Sequence, residues 1–85
     1  MELKVAKRAG EVEAFTVDKI KEGVMKAGGT AELAGEVALN TAKWATETAK
    51  GGVISVVDIH NKVAELLYGK DKEIAGKFKS FVKKH

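Results

Sequence analysis

The sequence contains no cysteine, no proline, two histidines and only 6% aromatic residues. Without cysteine there is neither a disulfide framework nor a thiolate metal site, so stability must come from packing alone. His60 and His85 stand 25 positions apart with no thiolate nearby, which leaves a closed zinc site without a ligand set. His60, next to Ile59, reads as a half-exposed helix residue. No apolar run approaches the roughly 18 residues of a membrane span, and Met1-Glu2-Leu3-Lys4 does not open a signal peptide. The expected compartment is therefore the cytoplasm. No serine, histidine and acid are spaced as a nucleophile with its base, and the carboxylates fall mainly on solvent faces, so catalysis is not expected. Familiar phosphate loops are missing as well. Gly69 and Gly76-Lys77 are separated by six residues where a Walker A loop needs four, and no Gly-x-Gly-x-x-Gly occurs.

What is present fits one small domain spanning residues 1–85, with 45% hydrophobic and 32% charged residues. The net charge of +3 is uneven. Residues 1–50 hold eight basic and eight acidic side chains, whereas residues 51–85 hold seven basic and four acidic. Lys77, Lys79, Lys83 and Lys84 close the chain without an acid. Such a run can attract phosphate or nucleic acid, although it also complements the negative end of a helix dipole.

With proline absent, glycine supplies the punctuation. Gly28-Gly29, Gly51-Gly52 and Gly69 divide the chain into a hairpin at about 3–15 and helices at about 17–28, 31–50, 56–68 and 72–84. Leu3, Val5 and Lys7 alternate with other residues, as do Val12 and Ala14, which predicts two short strands turning at Ala9-Gly10. Thr16 is placed to cap the first helix, with a Phe15–Ile20 staple and a stripe of Ile20, Val24 and Ala27. Thr30 is placed to cap the second, where Leu33, Val37, Thr41, Trp44 and Thr48 recur at helical spacing and alanine elsewhere invites close packing on two sides. Ser55-Val-Val-Asp58 reads as a capping box, with an Ile54–Ile59 staple, before a stripe of Ile59, Val63, Leu66 and Leu67. Asp71 heads the fourth helix, with Ile74, Phe78, Phe81 and Val82 inward. A ribbon too small to stand alone must lie on these helices. The expected fold is mainly α (α+β): a four-helix bundle capped by a small β-hairpin or three-stranded sheet.

Two cations look misplaced in this frame. A turn at Ala9-Gly10 sets Lys7 opposite Val12 on the inner face with Val5 and Ala14, Arg8 beside the turn, and Glu13 on the outer face near Ala6. An inward lysine needs an anion, or its tip must reach water. Lys19 lies in the first turn of a helix, where the dipole favours anions over cations. Two ammonium groups beside a helix start suit a phosphate chain, because backbone N–H groups and cations neutralise it together. The plainer alternative is that Lys7 snorkels, Lys19 is solvated and Asp18 offsets it.

The residues Val5-Ala-Lys-Arg-Ala-Gly10, Glu13, Phe15 and Asp18-Lys-Ile20 resemble the opening signature of the ATP-cone domain: Val-x-Lys-Arg-Asp-Gly, a Glu, an apolar residue, then Lys-Ile. The likeness continues through Ala27-Gly28, Ile54-Ser-Val-Val-Asp-Ile59 and Ala75-x-x-Phe78-x-x-Phe81, covering nearly the whole chain. This resemblance implies a four-helix bundle under a small sheet, with Val53-Ile54 as a third strand and an adenine nucleotide between lid and helices. ATP-cones serve as regulatory modules of ribonucleotide reductases, of the repressor of reductase genes and of some kinases. There they sense ATP against dATP and alter oligomeric state or activity. By position, Lys7 and Arg8 would meet the phosphates, Lys19 would join them, and Val5, Phe15 and Ile20 would line base and sugar. Glu13 matches the motif's acid and would assist in nucleotide contact. Lys84, or Lys83, is the nearest counterpart of a basic group that serves phosphate near the end of the fourth helix. The implied ligand is ATP or dATP, with Mg2+ able to accompany it.

Departures from the pattern are Ala9 for the usual Asp or Asn, Ala14 for a frequent Pro, and Val82 where an Arg often stands. Read as free-standing, the module is expected to act in trans on a partner such as a ribonucleotide reductase or regulator, or to respond as a homo-oligomer. Two alternatives stand beside this reading: an interaction module with a decayed ATP site, favoured by Ala9 and Val82, and a small basic nucleic-acid binder, favoured by the lysine tail.

Overall fold

The computed structural model describes residues 3–7 and 9–80. Strands β1 (Lys4–Ala6) and β2 (Val12–Ala14) lead into α1 (Val17–Lys26) and α2 (Ala31–Thr48), followed by β3 (Val53–Ser55), α3 (Val56–Tyr68) and α4 (Lys72–Ser80). The strands form one sheet in the order β2-β1-β3, antiparallel between β1 and β2 and parallel between β1 and β3. The fold is thus α+β, four helices with a three-stranded sheet as cap. Against the expected bounds, α1 and α2 each stop two residues early. Phe81 and Val82, expected to point inward, lie outside the described residues.

The hairpin differs from the expected one in register. Val5 pairs with Glu13 and Ala6 with Val12, so Glu13 shares the inner face with Val5, while Val12 and Ala14 face outward. Val12 is accordingly 53% exposed. The cause lies in the turn. Gly10 N–H donates to the Lys7 carbonyl at 3.0 Å and Lys7 N–H to the Glu11 carbonyl at 2.7 Å, so the connection holds three residues rather than two. Gly10 takes the left-handed conformation (φ 96°) that such a loop requires at its last position. One added residue moves every β2 side chain to the opposite face.

A second tight turn sets up β3. Lys50 and Val53 exchange both backbone hydrogen bonds at 3.2 Å around Gly51 and Gly52, whose φ values of 61° and 81° suit a type I′ connection. Lys4 N–H then donates to the Gly52 carbonyl at 2.8 Å, drawing β3 alongside β1. Ile54 lands beside Val5, and the row Glu13–Val5–Ile54 forms the inner surface of the sheet.

Helix starts follow the polar residues before them, with one exception. Thr30 Oγ1 accepts from Leu33 N–H at 3.1 Å, and Asp71 Oδ1 accepts from Glu73 and Ile74 N–H at 3.0 and 3.3 Å. Ser55 Oγ accepts from Val57 N–H at 3.1 Å, one residue short of the capping-box geometry. Thr16, expected to cap α1, makes no side-chain cap bond.

The core is built largely of small residues. On α2 the buried line is Ala34, Val37, Ala38, Thr41 and Ala45, whereas Leu33 and Trp44 are half-buried and Thr48 is exposed. Alanine lets α1 and α3 approach α2 closely, which rotates its larger side chains to the edges of the contact. Thr41 is buried because its hydroxyl donates to the Val37 carbonyl at 2.8 Å. Leu67, Val24, Val37 and Val63 are fully buried, and α4 closes the bundle through Ala75 and Phe78. Phe78 stacks on His60 with ring centroids 4.5 Å apart. Val5 and Ile54 join this core from the sheet, which seats the cap on the helices.

Candidate functional site

Where the sheet meets the starts of α1 and α3, a cleft of about 180 Å³ opens. Val5 from β1, Phe15 and Ile20 around the entry to α1, and Val56 and Ile59 at the start of α3 form its apolar floor. Lys7, Glu13, Thr16 and Lys19 supply the polar groups at its mouth. Each position follows from local structure. Lys7 continues the inner face of β1 past Val5, Glu13 is brought inward by the three-residue turn, and Lys19 projects from the first turn of α1.

The Glu13 carboxylate bridges the two ammonium groups. One oxygen lies 2.7 Å from Lys7 Nζ, and the other pairs with Lys19 Nζ. All three side chains keep contact with water, at 43% (Lys7), 32% (Glu13) and 66% (Lys19) exposure. Hydrogen bonds from Lys19 and Lys7, reinforced by their charges, pull the Glu13 carboxyl down to about 2 from its ordinary 4.5. The Lys7 ammonium is raised above its ordinary 10.5, first by the hydrogen bond to Glu13 and then by its charge. The inward lysine of the sequence therefore has its anion, and that anion comes from the opposite strand. Thr16 provides no side-chain cap, so the N–H groups of the first turn of α1 remain available to a negative ligand beside Lys19.

Six of the eight residues singled out in the sequence, Val5, Lys7, Glu13, Phe15, Lys19 and Ile20, border this one cleft. Arg8 and Lys84, like Lys83, lie outside the described residues. Glu13 arrives by a different route from the expected one, on the inner face rather than the outer. Sequence reading missed Val56 and Ile59 as part of the site. Their signal was present in the Ile54–Ile59 stretch, which was read as a helix entry and a staple, without its consequence that a helix start under a sheet edge also walls a cleft. Past Ile20, Val56 and Ile59 the cleft adjoins a second cavity of about 170 Å³, reaching His60, Val63 and Phe78.

A family model for the ATP cone domain matches residues 3–84. The chain belongs to the ATP-cone family. Comparison with curated proteins gave no match. An ATP-cone is a regulatory rather than a catalytic domain, and membership implies a regulatory role through adenine-nucleotide binding in general. Among the described residues of this ATP-cone, no helix is long and apolar enough to cross a membrane.

Proposed function

We propose that this ATP-cone binds ATP or dATP in the cleft between sheet and helices and acts as a regulatory module on a protein in trans, with its own oligomeric state as the alternative output. The observation that carries the reading is the cleft itself: an apolar floor of Val5, Phe15, Ile20, Val56 and Ile59, with Lys7 and Lys19 converging at the mouth beside an uncapped helix start. The floor suits base and sugar, and the mouth suits phosphate. Arg8 and Lys84 join the phosphate side by family position. The cleft alone is smaller than the roughly 300–1,000 Å³ common for ligand pockets, and the adjoining cavity supplies further room along Ile20, Val56 and Ile59. Among the described residues no group of three or more histidines and carboxylates gathers to hold a metal. A Mg2+ ion entering with the nucleotide would take most of its ligands from the phosphates and water.

Titration with ATP and with dATP, followed by amide NMR, is expected to move signals within residues 5–20. No shift there at several millimolar nucleotide would overturn the reading. Lys7→Ala and Lys19→Ala are each expected to weaken binding about fivefold or more, as for loss of a charge-assisted phosphate contact. Unchanged affinity in both removes the phosphate assignment. The native mass with and without nucleotide reports whether binding changes the particle.

A further inference from the structure

Helix α2 is the longest element, and the fold buries one side of it. On the opposite side Glu32, Glu36, Leu39, Lys43 and Thr46 are all exposed, and they recur at alternating spacings of four and three, the seam period of paired helices. Leu39 is 66% exposed, the most of any large hydrophobic among the described residues. No α2 residue borders the cleft, so this face is separate from the proposed nucleotide site. Gly35, one turn before Leu39, sits inside the helix, where alanine would be more stable. A Cβ there would meet only Lys21 Cε, at 3.8 Å, an ordinary contact with a flexible side chain. Packing within one chain gives no reason for this glycine, whereas close approach by a second backbone does.

Charge selects the occupant. The seam carries Glu32 and Glu36 before Leu39 and Lys43 after it. Glu32 and Lys43 have no ion-pair partner among the described residues, and Glu36, paired with Lys70, keeps 48% exposure. A parallel neighbour of the same sequence would set like charges against each other. An antiparallel copy, related by a two-fold axis at Leu39, brings Glu36 of each chain to Lys43 of the other, because these positions are nearly symmetric about Leu39. We propose that α2 pairs antiparallel with α2 of a second copy, Leu39 of each seating between Gly35 and Ala42 of the other and Glu36–Lys43 pairs closing both ends. This goes beyond the nucleotide reading and does not depend on it. One helix against another is a small interface, so the dimer is weak, with a Kd on the order of 10–500 µM.

Sedimentation equilibrium of the full chain without nucleotide, from about 10 µM to about 1 mM at low salt, tests this. A monomer–dimer equilibrium is expected, weakening as salt is added. Leu39→Glu, at an exposed position, is expected to keep its helical circular dichroism and to weaken association about tenfold or more. Lys43→Glu and Glu36→Lys each place like charges at both ends of the pair, and each alone is expected to weaken association about threefold or more. Mixed one to one, the two variants restore opposite charges at both ends, so the mixture should associate about as strongly as the wild type. Recovery in the mixture, with loss in each variant alone and in Leu39→Glu, supports the antiparallel pair. A wild type still monomeric at the highest concentration, association that Leu39→Glu leaves unchanged, or a mixture no stronger than its components overturns it. Nucleotide is absent throughout, so failure here leaves the ATP reading of the cleft standing, and failure of ATP to bind leaves the dimer standing.

Discussion

At the scale of single residues, Glu13 decides how the cleft responds to acid. Its folded carboxyl titrates near 2 and its unfolded one near the ordinary 4.5, so above pH 4.5 it is ionised in both states and the ion pairs contribute fully to stability. As pH falls from 4.5 towards 2, the unfolded chain takes up the proton first and that contribution is lost. Denaturation curves of the wild type and Glu13→Gln should therefore differ most near neutral pH and converge as pH approaches 2. A gap that stays constant through this window would show that the pairs do not hold the lid. Added salt should narrow the neutral-pH gap, because all three side chains face water. Lys7 gives the opposite pattern at high pH: its raised value means a contribution present below 10.5 and lost as pH climbs through the folded value.

At the scale of elements, the hairpin converts one glycine into the register of the site. Gly10 at φ 96° sets the three-residue turn, and the turn decides that Glu13 rather than Val12 faces inward. Gly10→Ala is expected to cost about 1 kcal/mol or more, since the left-handed conformation strains any residue with a Cβ, and to weaken ATP binding by disturbing Lys7. Thr30→Ala, which removes the cap of α2 on the far side of the bundle, should cost about 1 kcal/mol in stability while leaving affinity unchanged; equal loss of affinity in both variants would mean that the hairpin has no special part in binding. The same turn marks the limit of sequence reading. Helix positions and most starts were legible because glycine pairs and Thr30, Ser55 and Asp71 act within a few residues of the ends they define. The face of β2 was not, because Ala9-Gly10 fits a two-residue or a three-residue connection equally well and one residue inverts the strand. On α2 the period was read correctly and its centre was not. Leu33 and Trp44 outweigh alanine in any hydrophobic pattern, yet close packing placed Ala34, Ala38 and Ala45 at the contact. Lys7, Lys19 and the apolar floor around Val5, Phe15 and Ile20 were recognisable from a motif, whereas Val56 and Ile59 belong to the cleft only through the pairing of β3 with β1.

At the scale of the whole molecule, the cap is held less firmly than the bundle it covers. The helices interlock through fully buried Val24, Val37, Val63 and Leu67, whereas the sheet reaches that core mainly through Val5 and Ile54. Its backbone bonds, such as Lys4 N–H to Gly52 and Phe15 N–H to Leu3, lie in short strands near solvent. Local opening draws on such regions, so in the free protein the amides of Lys4, Lys7 and Phe15 should exchange with solvent faster than those of the buried helix positions. A nucleotide held between cap and bundle binds only when both are in place. At about 100 times the dissociation constant it adds about 2.7 kcal/mol to global stability, which in a small domain raises Tm by roughly 10 °C or more. Cap amides should slow more than this global gain alone, because the ligand also suppresses the local opening by which they exchange. The measurement is hydrogen exchange read by NMR with and without saturating ATP. Slowing confined to the helices, with the cap amides unchanged, would place the ligand elsewhere on the bundle and separate nucleotide binding from the sheet.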